Sequence, residues 1–162
     1  MATKKTNKNQ KLLVCVGNSD HSLVALKFAC SKAKKAGFAI EIITVIDTST
    51  KSQEGLFAVD DIFQKEKRDE TEKILNDYAD KVYEWAKIRP VLNVREGFIY
   101  DEIKSTVESD KTISMIILSA SPDSTSNGKL IPYLAEQLSL KLFVPLMIVP
   151  NNLTDAQIEK IS

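Results

Sequence analysis

His21 is the sole histidine of the chain. It lies beside Ser19, Asp20 and Ser22, a set containing a nucleophile, a base and a carboxylate to orient that base. Neighbours at a helix start diverge around its axis, whereas the members of a working triad converge on one point. Ser and Asp are also the residues that satisfy the free N–H groups of a first turn, so this set reads as a helix start. Asp101 and Glu102 would suit acid–base work as an adjacent pair. In a first helical turn, however, the helix dipole alone favours them, and they read as caps. Asn127, Gly128 and Lys129 have the form of the end of a phosphate-binding loop. Leu130 replaces the required Ser or Thr, and no glycine lies five positions before Gly128. No GxGxxG occurs, which leaves a nicotinamide or flavin cofactor without its fingerprint. Cys15 and Cys30 lack CxxC or Cys/His spacing, so free buried thiols are expected rather than a disulfide or a metal site. No catalytic constellation emerges, and the chain is not expected to be an enzyme.

The composition narrows the partners. At 162 residues and 43% hydrophobic, the chain suits one domain with a substantial core. Lys plus Arg and Asp plus Glu each number 22, leaving no positive excess for nucleic acid or an anionic membrane. The basic stretch Lys4, Lys5, Lys8 and Lys11 reads as solvated, and residues 1–10 as a disordered leader. That leader has neither the apolar run nor the cleavage site of a signal peptide. No segment is long and apolar enough to span a bilayer, so a cytoplasmic protein is expected.

Any site must be held by the elements between these residues. Leu12 to Val16 is a short continuous apolar run, suited to a strand buried on both faces. Ser22 to Lys35 follows as a helix, with Val24, Ala25, Phe28, Ala29, Lys32 and Ala36 on one face and Gly37 as its stop. Ile40 to Ile46 is a second strand, and the polar stretch Asp47 to Gly55 a loop. A long charged helix runs from about Asp60 to Ala86. Its Ile62, Phe63, Ile74, Leu75, Tyr78, Val82 and Trp85 are expected to face the sheet, and Pro90 to end it. Then come a strand at Val91–Arg95, a helix at Tyr100–Ser109, a strand at Ile113–Leu118, a helix at Leu130–Leu140 and a strand at Leu146–Val149. Thr154 is a candidate N-cap for a short helix in the tail 151–162, with Ile158 and Ile161 on one face. Strict alternation of strand and helix implies right-handed crossovers and a parallel sheet with helices on both faces.

The first and fourth strands carry the strongest apolar runs, and each ends in small or polar residues: Gly17, Asn18 and Ser19, and Ser119, Ala120 and Ser121. Both read as central. Ligands of open α/β sheets bind beyond the carboxyl ends of strands where the winding reverses, here between these two.

Several stretches in order resemble the universal stress protein family: VCVGNSDHS from Val14, Val45 at the end of the second strand, VREGFIYDEI at Val94–Ile103, MIILSAS from Met115 and the closing VPLMIVP. The resemblance covers Lys11 to Pro150 and assigns 11–150 to one such domain. It implies an α/β fold with a five-stranded parallel sheet of order 3-2-1-4-5 and helices on both faces, Rossmann-like and of the adenine nucleotide alpha hydrolase type. It also implies a homodimer paired through the last strand.

Many members of that family bind ATP, with an acidic residue after the first strand and a glycine loop after the fourth. Here Gly17 stands at the acidic position. Ala120, Asp123 and Pro132 or Tyr133 stand at or near the loop's three glycines. Asp123 sets negative charge against phosphate, Pro122 and Pro132 remove backbone donors, and Ala120 adds a side chain where close approach is needed. ATP binding in the family's usual manner is therefore not expected. The residues left to touch a nucleotide are Gly17, Val45, Ser119, Ser126, Asn127, Gly128 and Lys129. Val45 matches an adenine-contacting backbone position, and the polar stretch Ser124 to Lys129, read as a loop, offers donors to an anion. Gly97, just after the third strand, supports a tight turn.

Leu146, Met147, Ile148 and Val149 would leave an apolar strand with unpaired backbone groups if they occupied the sheet edge. Antiparallel pairing with a second copy removes that hazard. Pro145 and Pro150 limit the pairing to a short stretch. The other solution is a tail helix folded over the edge. The resulting expectation is a stress-response binding or signalling module with an unnamed protein partner. The alternative is a nucleotide-binding member with an altered phosphate loop and weak ATPase activity.

Overall fold

The computed structural model describes residues 10–17, 20–48, 57–120, 126–138, 141–142 and 144–162. The leader and the stretch 49–56 lie outside them, apart from Gln10. In chain order the elements are β1 (Lys11–Cys15), α1 (His21–Ala36), β2 (Ala39–Asp47), α2 (Phe57–Ala86), β3 (Val91–Gly97) and α3 (Ile99–Ser109). They continue with β4 (Ile113–Ser119), α4 (Ser126–Tyr133), β5 (Leu146–Val149) and α5 (Asp155–Ile161). The strands form one sheet of order β3-β2-β1-β4-β5, parallel throughout, as the alternation and the resemblance both imply.

Side chains on successive strand residues point to opposite faces, so a strand covered on both sides must be apolar at every position. β1 meets that demand. Leu12, Val14 and Val16 pack with α1, Leu75, Tyr78 and Val82 of α2, and Ile158 of α5. Leu13 and Cys15 face the other way, toward Ile103 and Val107 of α3, Leu130 of α4 and Leu134 just after it. Two half-cores thus clamp the strand from which the site extends.

The structure corrects three of these expectations: the inner face of α2, the start of α4 and the buried face of α1. A 30-residue α2 is about 45 Å long, roughly twice a strand of this sheet, so its first turns overhang. Ile62 and Phe63 are accordingly 63% and 60% exposed and do not face the sheet. α2 ends at Ala86 as expected, with Lys87 in the left-handed region at φ 56° before Pro90. α4 begins at Ser126 rather than Leu130, so Ser126 to Lys129 form its first turn and not a loop. Pro132 lies inside α4 and cannot donate to the preceding turn, and the helix widens into a π-helical turn at Leu134–Leu138 just beyond it. The buried face of α1 includes Leu26 and Ala33 rather than Lys32 and Ala36.

Helix ends follow local chemistry. Gly37 adopts φ 77° and donates its N–H to the Ala33 carbonyl over 2.8 Å, closing α1 as a left-handed C-cap. Thr154 caps α5 reciprocally with Gln157, as its position predicts. Ile158 is buried, but Ile161 is exposed. α5 lies against α1, where Lys27 pairs with Asp155, and not across the outer edge of β5.

Candidate functional site

Strand register determines which residues meet at the carboxyl end of the sheet. Cys15 lies opposite Ile43 on one side and Leu118 on the other. Two residues on, Gly17, Val45 and Ala120 therefore fall on one line across three adjacent strands, with Ser119 one step behind. Ser119 is buried opposite Val149, and the Ala120 N–H donates to the Val149 carbonyl over 2.8 Å. α4 packs Leu130 and Ile131 beneath this end, enclosing a cavity of about 10 Å³ with Cys15, Leu118 and Ser119. The fold thus gathers Gly17, Val45 and Ser119 at one end of the sheet, with Leu130 and Ile131 of α4 against Cys15, Leu118 and Ser119. Asn18, Ser19 and Ser121–Thr125 lie outside the described residues.

Gly17 is tied at both of its backbone polar groups. Its N–H donates to Ser22 Oγ over 3.0 Å, and its carbonyl accepts from the Tyr78 hydroxyl at 3.1 Å and from Ser22 at 3.3 Å. One residue earlier, the Thr44 hydroxyl donates to the Val16 carbonyl over 2.9 Å. The backbone leaving β1 is therefore held by three hydroxyls from α1, α2 and β2. Ser22 is 1% exposed and works from the buried face of α1. The exposed Asp20 makes no capping hydrogen bond, contrary to the sequence reading. Burial pushes the Tyr78 phenol above its ordinary range, with Asp20 adding to the shift, so it donates as a neutral hydroxyl.

Tyr78 and Ser22 were legible as core and cap, yet their hydroxyls serve the β1 exit. The available signal was a tyrosine in an apolar stripe, whose O–H needs a partner when buried. Thr44 gave a similar one, as the hydroxyl residue of an otherwise aliphatic stretch.

The remaining candidates have structural duties. His21 Nδ1 lies 3.2 Å from Asn151 Nδ2, tying α1 to the chain after β5. Glu102 does not cap α3 but accepts from Arg95 Nε over 2.8 Å. Gly97, at φ 148°, is needed for two reasons: its conformation, and Glu102 Oε1, which would lie 2.9 Å from any Cβ there. Cys15 and Cys30 are free and buried, and burial pushes both thiols up to about 12. Among the described residues no cluster of His, Cys, Asp and Glu is arranged to hold a metal. None of their helices is long and apolar enough to cross a membrane.

An open, doubly wound α/β domain with its crevice at the β1/β4 reversal is the class that these features define. The chain belongs to the universal stress protein family, whose sequence profile matches residues 8–150. Among solved structures, a universal stress protein UspA from Lactobacillus plantarum superposes with a TM-score of 0.72 at 15% identity, covering 88% of this chain and 98% of that one. A universal stress protein in complex with cAMP gives 0.61 at 16% identity, with coverages of 88% and 98%. One from Archaeoglobus fulgidus in complex with dAMP gives 0.57 at 17%, with 86% and 97%. Among curated proteins no match is found.

Proposed function

We propose that this chain is a cytoplasmic, stress-linked binding or signalling module that acts as a homodimer and does not use ATP in the manner of the family's nucleotide-binding members. The observation that carries this reading is the state of Gly17. Where a carboxylate would reach a ribose or base there is no side chain, and the backbone N–H and carbonyl are already engaged by Ser22 and Tyr78. Asp123, Pro122 and Pro132 weaken the phosphate side by charge and by lost donors.

A second reading rests on a separate observation. Ser126 to Lys129 form the first turn of α4, and first-turn N–H groups with their dipole attract anions. Relatives in complex with cAMP and dAMP keep this reading in contention. In it, Ser126, Asn127, Gly128 and Lys129 meet phosphate, Val45 meets the base, and any ATP hydrolysis is slow.

Calorimetric titration of the purified chain with ATP and Mg²⁺, and separately with cAMP, separates the two. The first reading expects no binding heat from ATP. Micromolar ATP affinity that falls on Lys129→Ala would sink it and establish the second.

A further inference from the structure

α5 lies beyond the family match, which ends at residue 150. It still docks on the face formed by α1 and the end of α2. One side chain enters: Ile158 is 3% exposed and joins the core of that face. The other contacts are polar, and apart from the part-buried Ser31 and Ser162 hydroxyls they are open to solvent. Lys27 Nζ lies 2.9 Å from Asp155 Oδ1, Lys35 Nζ lies 3.6 Å from Glu159 Oε1, and the Ser31 hydroxyl donates to Glu159 Oε2 over 3.1 Å. Exposed pairs of this kind hold weakly, and a helix of seven residues has little stability of its own.

The groove is also underfilled. A cavity of about 190 Å³ remains between α5 and Lys27, Cys30, Lys34 and Trp85. Its wall offers an indole face, with the Lys27 ammonium 5.4 Å from the ring centre. Lys34 reaches the Trp85 carbonyl at 3.4 Å, so a third cation lines the groove beyond the two that α5 pairs with its carboxylates. Shape and charge thus suit an acidic amphipathic helix with a larger apolar anchor than α5 supplies.

We propose that this groove is an exchangeable helix-docking site, held in cis by α5 and taken in trans by a partner's acidic amphipathic helix whose apolar anchor fills the space beside Trp85. Displaced, α5 loses its only buried contact among the described residues and uncovers Lys27 and Lys35. A competing helix therefore needs a better anchor or one more carboxylate, and no change in the sheet.

The test uses the full chain carrying Ile158→Asp, which releases α5, with circular dichroism to check the fold. A fluorescent peptide of residues 152–162, and the same peptide with Ile158→Phe, are titrated by anisotropy. Both should bind the variant, the Phe peptide more tightly by roughly fivefold as it fills the cavity. Binding to the native chain should be weaker by about tenfold, because α5 competes. Alkylation of Cys30 should quicken in the variant while Cys15 stays slow. A folded variant that binds neither peptide, or a native chain that binds them as tightly, overturns the proposal. If Ile158→Asp fails to fold, Lys27→Glu/Lys35→Glu releases α5 without charge in the core. It must then bind the peptide with Asp155→Lys and Glu159→Lys, and failure there overturns the proposal equally.

Discussion

The Tyr78 hydroxyl of α2 donates to the Gly17 carbonyl just past β1, across 61 residues of sequence and 3.1 Å of space. Ser22 meets the same carbonyl from α1 and also accepts from the Gly17 N–H. The exit of the central strand is thus held by the two helices that cover one face of the sheet.

Tyr78→Phe removes one donor and should cost about 1 kcal/mol, with Ser22→Ala costing at least as much because Ser22 is fully buried. The two act on one carbonyl, so their combined effect should depart from the sum by roughly 0.5 kcal/mol or more. Urea unfolding of the two single variants and the double variant measures this, and strict additivity would contradict the shared role.

Gly97→Ala should destabilise the chain by about 1–3 kcal/mol, since φ 148° strains any other residue. The added Cβ also meets Glu102, displacing the carboxylate from Arg95. Truncating Glu102 in the Gly97→Ala background should restore only part of the loss, because the backbone penalty stays. Thermal unfolding that returns fully to the native midpoint would show that φ is not limiting.

At the opposite end of the sheet Lys11 bridges Asp110 at 2.5 Å and the buried Glu41. Hydrogen bonds from Lys11 and then Thr112 pull the Asp110 carboxyl from its ordinary 3.8 down to about 2. A depressed folded-state pKa means the stabilisation is complete above about pH 4 and disappears as pH falls toward 2. Asp110 is partly open to solvent, so the contribution is below about 1 kcal/mol. Asp110→Asn should flatten that part of the stability–pH curve, and an unchanged slope would remove Asp110 as its source.

β5 ends the sheet, and Ile148 on it is 38% exposed. A homodimer through Leu146 to Val149 should appear by light scattering at micromolar concentration, and Ile148→Lys should convert it to monomer with the circular dichroism spectrum unchanged. A native monomer, or a variant that stays dimeric, would place the contact elsewhere or abolish it.

The strands of this protein were readable because burial on both faces demands unbroken apolar runs, as in Leu12 to Val16 and Ile116 to Leu118. Gly37 was readable as a stop for a similarly local reason, since few other residues accept a left-handed cap. Periodicity misled where length mattered. Ile62 and Phe63 continue the stripe of α2, but the sheet beneath them has already ended. Likewise Ser126 to Lys129 have turn-forming residue types, yet they are the first turn of an α4 that Leu130, with Leu134 just beyond its end, anchors to the core.

From residues alone came the alternation that dictates a parallel sheet, the reversal between β1 and β4 where a ligand crevice belongs, and the absence of a carboxylate at Gly17. These are properties of pattern and residue type, and they need no coordinates. Tertiary structure alone decided that Tyr78, Ser22 and Thr44 converge on the backbone around Gly17, that Glu102 serves Arg95 rather than its own helix, and that α5 lies on α1. Each of those depends on side chains far apart in sequence reaching one place, and a hydroxyl or carboxylate carries no mark of its partner until packing sets the distance between them.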